Sequence, residues 1–214
     1  MTTPLRILRL DELEINQHFD LDSEDMCYYW RKYTAGKDYT YSDTNRLIKN
    51  FRIPISDERR VSYKIKAIDQ LAREFIQLVK NDATYTNYTF IPIPTSKGRD
   101  SQDYDDRLIK LLHLVSKYKK MNMDIRELII QSQKTPQAHT LPSKERPSVE
   151  ELLNLYIIKD DLLKPTPKNI IIFDDILTKG SHFKAMKKML QKCYPGVPIM
   201  GLFIACSSYD ESIN

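Results

Sequence analysis

Four apolar residues in succession at 170–173, Ile-Ile-Ile-Phe, run into two carboxylates, Asp174 and Asp175, and then into the polar turn Thr178-Lys179-Gly180-Ser181. A run this short and this continuously apolar suits a strand buried on both faces, as in a parallel sheet. The acids fall where such a strand emerges at its carboxyl end. The turn opens directly into a helical pattern that puts Phe183, Met186, Met189, Leu190 and Cys193 on one face. Strand, acids, turn and helix N-terminus make a cradle for an anion. Backbone N–H groups and the positive end of the helix dipole face it, and the hydroxyls of Thr178 and Ser181 add donors. The chain has only five glycines, and Gly180 stands where an approaching anion needs bare backbone. The other reading is a plain α/β strand whose terminal acids cap the next helix.

A second turn of the same kind lies earlier. The pattern predicts a helix over 63–80, with Ile65, Ile68, Leu71, Ala72, Phe75 and Val79 inward, then a strand over 88–93. Pro92 and Pro94 end that strand by withdrawing ladder donors. Beyond them, Thr95-Ser96-Lys97-Gly98-Arg99 offers hydroxyls and cations suited to a diphosphate or, equally, to a plain surface turn. Further helices are predicted over 103–118 and 149–156, the latter behind a Ser148-x-x-Glu151 capping box. Strands are predicted over 125–130 and 199–206. His113, beside the inward stripe of the 103–118 helix, reads as a packed or surface residue. From residue 63 onward helix and strand alternate, which implies right-handed crossovers, a mostly parallel sheet and a site at the strands' carboxyl ends.

The strand, acid pair and turn resemble the PRPP-binding motif of the type I phosphoribosyltransferases (PRPP is 5-phosphoribosyl diphosphate). Asp174 and Asp175 match the acid pair, Thr178 the first Thr and Gly180 the Gly, while His182 stands where the family usually has its last Thr. The Pro-x-Pro segment is similar to the family's pyrophosphate loop, and within the superfamily the likeness is to ComF-type proteins. Residues 43–52 resemble the Leu-Ile-x-x-x-Lys segment of that group, with Arg52 in the Lys place; the group's zinc-binding cysteine cluster is absent. The resemblance implies an α/β fold of the type I phosphoribosyltransferase kind, with a mostly parallel central sheet flanked by helices. A small N-terminal hood over 1–60 would precede a core over 61–214. It also implies ribose held by Asp174 and Asp175, with magnesium bound indirectly through them. The 5′-phosphate would sit on Thr178, Lys179, Gly180, Ser181 and His182, and the diphosphate on Pro94, Thr95, Ser96 and Lys97. A mobile loop would bring Gln137, His139, Lys144 and Arg146 to the diphosphate, and Ser207, Ser208 and Tyr209 would lie near the acceptor. Phosphoribosyl transfer to a nitrogen acceptor is the implied activity. A non-catalytic PRPP- or nucleotide-sensing module, working through a protein or nucleic-acid partner or the product of a neighbouring gene, is the alternative.

Composition narrows the partners. A net charge of +4 favours anionic ligands mildly and does not by itself establish nucleic-acid binding. Aromatics and bases interleave over 27–56 (Tyr28, Tyr29, Trp30, Arg31, Tyr33, Tyr39, Tyr41, Arg46), a pattern that fits base stacking or a β-rich lobe with its polar tips outward. Residues 1–26, acidic toward their end, read as a loosely structured leader. Cys27, Cys193 and Cys206 are isolated and indicate neither a disulfide framework nor a zinc site. No apolar run reaches the ~18 residues of a membrane helix. The expectation is a cytoplasmic protein, not membrane-bound, able to form a homodimer.

Overall fold

The computed structural model describes residues 5–95, 104–132 and 147–208. Its strands are β1 (Leu8–Arg9), β2 (Cys27–Thr34), β3 (Thr89–Pro92), β4 (Asp124–Ile125), β5 (Ile129–Gln131), β6 (Tyr156–Ile158), β7 (Ile170–Leu177) and β8 (Ile199–Ser208). Its helices are α1 (Glu12–Ile15), α2 (Asp43–Phe51), α3 (Val61–Leu78), α4 (Asp82–Asn87), α5 (Arg107–Lys119), α6 (Val149–Leu155) and α7 (Ser181–Cys193). Six strands form one sheet in the order β1-β2-β8-β7-β3-β4, and β5 pairs with β6 in a separate antiparallel ribbon. Every pairing in the large sheet is parallel except β1 with β2. The α/β class and the mostly parallel, helix-flanked sheet expected from the sequence are therefore present. Among the described residues no helix is long and apolar enough to cross a membrane.

Strand alternation assigns each face of the sheet its helices. Ile171 and Phe173 of β7, with Phe90 of β3, pack against α2, α3 and α5 through Ile48, Phe51, Leu71, Phe75 and Leu111. Ile170 and Ile172, with Ile91, pack against α6 and α7 through Leu152, Phe183, Met186 and Leu190. Both sides of β7 are thus apolar, as its sequence requires. The capping box of Ser148 and Glu151 starts α6, and the Ser42 hydroxyl accepts from the Asn45 amide at 3.0 Å to start α2.

Several expectations are corrected. Residues 27–34, expected in a hood, form an eight-residue strand of the main sheet, paired in parallel with β8 from Cys27 to Thr34. Tyr29 and Trp30 are core residues there, and their polar atoms meet Glu14 and Glu74, so neither ring is presented for stacking. The N-terminal segment is not a loose leader: Leu10, Ile15, His18 and Asp25 are buried. Ile65, expected inward on α3, is 61% exposed, while Lys64 is buried. The Lys64 amino group takes that place by donating to the carbonyls of Phe51 and Ile53 and to Asp105. The strand expected over 125–130 is divided between β4 and β5, in different sheets. Buried Arg126 sits at the break, bonded to Asp124 and to the Leu162 carbonyl. Its peptide N–H still reaches Phe90 O, so the ladder continues for one bond past β4 before the chain turns away.

Candidate functional site

The carboxyl ends of β3 and β7 lie side by side. Pro92 is in register with Phe173, and the Ile93 N–H donates to the Phe173 carbonyl at 2.9 Å. Pro94 and Thr95 therefore leave the sheet next to Asp174 and Asp175. On the other flank, β7 continues alongside β8 from Asp174, opposite Phe203, to Leu177, opposite Cys206. The Thr178–His182 turn comes next, at that same end of the sheet. Pro94 and Thr95, where the first predicted turn begins, the acid pair and the 178–182 turn thus lie at one end of the sheet. Ser96, Lys97, Gln137, His139, Lys144, Arg146 and Tyr209 lie outside the described residues. Ser207 and Ser208, expected beyond β8, belong to it and pair with Tyr33 and Thr34.

The two acids are not equivalent. Asp175 is buried and carries two guanidinium groups. Arg52 Nε donates at 2.7 Å and its Nη2 reaches the other oxygen; Arg107 Nε and Nη2 donate at 3.1 and 2.8 Å. Arg107 in turn holds Asp105 at 2.6 Å, and Asp105 accepts from Lys64 at 2.7 Å. Burial opposes ionisation of Asp175, but the two arginines outweigh it and hold the carboxyl far below the usual range. Three of its four hydrogen bonds fall on one oxygen, Oδ2. A ribose hydroxyl would have to share the remaining capacity of Oδ1 with Arg52.

Asp174 is only partly buried. Its Oδ1 accepts the Asp175 N–H at 2.7 Å. Burial and the neighbouring Asp175 charge push its carboxyl up. On its side stand Tyr156 and His182, joined by a 2.5 Å bond between the phenol and imidazole Nδ1. Burial first, and then the charge of Asp174, keep the Tyr156 phenol protonated. When the phenol donates to Nδ1, the Nε2 of His182 carries the N–H. The imidazole at the place of a threonine is thus able to act as a donor, though through a ring rather than a hydroxyl.

The anion turn has an unexpected neighbour. Gly180 adopts φ +93°, a conformation open to glycine, and a Cβ there would meet Leu21 Cδ2 at 2.6 Å. The bare backbone at this point is therefore covered by Leu21. The Ser181 hydroxyl, expected to face a phosphate, donates to Asp20 at 2.7 Å. His18 bonds the Thr178 carbonyl, and the Asp20 N–H donates to the Lys179 carbonyl at 2.9 Å. Just along α7, Lys184 and Lys187 are tied to Asp25, and Lys184 also to Asp22.

Sequence reasoning missed Arg107, Tyr156, His18 and Asp20. Arg52 carried a signal, as the base in a lysine's place; Arg107 sits in an acidic run, Asp105-Asp106, that gives no hint of a distant carboxylate partner. Among the described residues no three His, Cys, Asp or Glu side chains gather to hold a metal. All three cysteines are free. In comparisons with other sequences, no protein-family model and no curated protein matches the chain.

Proposed function

We propose that this protein binds PRPP at the shared carboxyl edge of β3 and β7 and transfers the phosphoribosyl group to a nitrogen acceptor, releasing diphosphate. The observation that supports the reading is the register of Pro92 with Phe173, because it brings the exit of β3, at Pro94 and Thr95, beside the acid pair. In this reading Asp174 takes the ribose hydroxyls, the N–H groups of the 178–182 turn and the His182 imidazole take the 5′-phosphate, and Thr95 begins the diphosphate loop. The bond from C1 of the ribose to the diphosphate oxygen breaks as the bond from C1 to the acceptor nitrogen forms, and the acceptor loses a proton. Positive charge develops at C1, and in this reading the Asp174 and Asp175 side chains stabilise it. Asp174 would be the acid of the pair to hold magnesium, since Asp175 is committed to two arginines, and the metal would supply neutralising charge for the diphosphate.

A second reading, a PRPP- or nucleotide-sensing module without turnover, is favoured by the double arginine clamp on Asp175. Titration calorimetry with PRPP and magnesium tests both. Binding heat that is lost in Asp174→Asn is expected; a protein that takes up no PRPP refutes the transferase and the PRPP sensor, and one that takes up no nucleotide either refutes the sensing module. Diphosphate release with a panel of nucleobases and amines then separates enzyme from sensor.

A further inference from the structure

Residues 18–21 come to the anion turn from far away in sequence and contact it at four consecutive positions. His18 and Asp20 hold the carbonyls of Thr178 and Lys179, Leu21 covers Gly180, and Asp20 accepts from Ser181. The protonation of His18 is set by its partners. A carbonyl oxygen only accepts, so Nδ1 carries the proton; Nε2 of the neutral ring is then the acceptor, and Cys206 S–H donates to it at 3.3 Å. The thiol is suited to this, since burial pushes it up to about 12 and keeps its proton on.

The direction of the two carbonyls has a geometric consequence. In a trans peptide the C=O of one residue and the N–H of the next point in opposite directions, and the one cis bond among the described residues is Lys164-Pro165. Carbonyls 178 and 179 point at the N-terminal segment. The N–H groups of Lys179 and Gly180 therefore point away from it. The segment reaches the turn on the β8 flank of β7, at Cys206, whereas β3 with Thr95 lies on the other flank.

We propose that residues 18–21 are a built-in brace for the phosphate turn, in which His18 and the Asp20 amide hold two carbonyls back and so aim the Lys179 and Gly180 N–H groups at a phosphate monoester. This rests on the proposed phosphate site and adds His18 to it as a positioning residue. At Gly180 the brace packs Leu21 against backbone whose φ of +93° already favours glycine.

The test is an NMR titration of the full chain with ribose 5-phosphate, tracking the amides of Lys179 and Gly180. In the unaltered protein both are expected to shift, and ribose alone is expected to leave them in place. His18→Phe keeps the ring and removes the donor; it is expected to weaken ribose 5-phosphate by about five-fold, the worth of one hydrogen bond. Binding of inorganic diphosphate, which belongs to the other turn, is expected to be unaltered. His18→Asn, whose amide N–H replaces the Nδ1 proton, is expected to recover most of the loss. Equal ribose 5-phosphate affinity in folded His18→Phe overturns the brace, as do unmoved Lys179 and Gly180 amides in the unaltered protein. If His18→Phe does not fold, those two amides decide the matter alone. Shifted amides without any uptake of PRPP would leave the brace standing and remove the phosphoribosyl reading.

Discussion

Asp175 is 1% exposed at its side chain, Arg107 16% and Arg52 45%. These values decide what each arginine contributes. A buried charge left without its partner is costly, about 3–5 kcal/mol, whereas a half-exposed one recovers much of its interaction from water. Arg107→Met is therefore expected to lower unfolding stability by about 3 kcal/mol, and Arg52→Met by clearly less, in urea denaturation. Equal losses for the two would mean that Arg52 and Arg107 share Asp175 evenly. None of this was visible in the motif itself. The acid pair was legible because it sits next to its strand and turn, but the partners of Asp175 lie 68 and 123 residues away, and local spacing says nothing about them.

Among the elements, β8 shows how tightly the sheet is packed under α7. A Cβ on Gly201 would come within 2.6 Å of the Phe203 ring and 3.0 Å of the Phe183 ring, which already meet edge to face with centroids 6.1 Å apart. Rings move as rigid units, so the strain has no cheap outlet. Gly201→Ala is expected to cost about 1–3 kcal/mol, read as a lower denaturation midpoint with an unchanged slope. An alanine variant as stable as the parent would show that the helix can slide to admit a methyl group. Short, continuously apolar runs made β7 and most of β8 readable, and three- and four-residue periodicity did the same for α3, α5 and α7. β2 was misplaced because its Tyr-Tyr-Trp-Arg-Lys-Tyr run alternates poorly; its burial comes from β8 beside it and from Glu14 and Glu74, which satisfy its polar atoms.

For the molecule as a whole, two ionisable groups, one buried and one partly buried, work against each other as pH changes. Burial lowers His18 from its ordinary 6.5. Below 6.5 the unfolded chain takes up a proton that the folded one refuses, so stability falls as pH drops from there toward the lowered folded value. Asp174 is raised from its ordinary 3.8. Above 3.8 the folded chain keeps a proton the unfolded one has released, so this group lowers stability as pH rises through its folded value. Melting temperature measured against pH is thus expected to have a flatter acid limb in His18→Asn, and Asp174→Asn is expected to gain more stability at pH 8 than at pH 4. Curves parallel to that of the parent would contradict both assignments. Local pattern was enough for the alternation of helix and strand, the burial of β7 on both faces, and the placing of acids and a glycine turn at one strand end, since each is dictated by periodicity and chemistry within a few residues. Which bases meet Asp175, and that residues 18–25 belong to the turn and to α7, came from the folding of distant segments onto one another. With 33 basic and 29 acidic side chains available, charge alone permits a great many pairings. The packing of the sheet selects among them by choosing which distant groups leave water together.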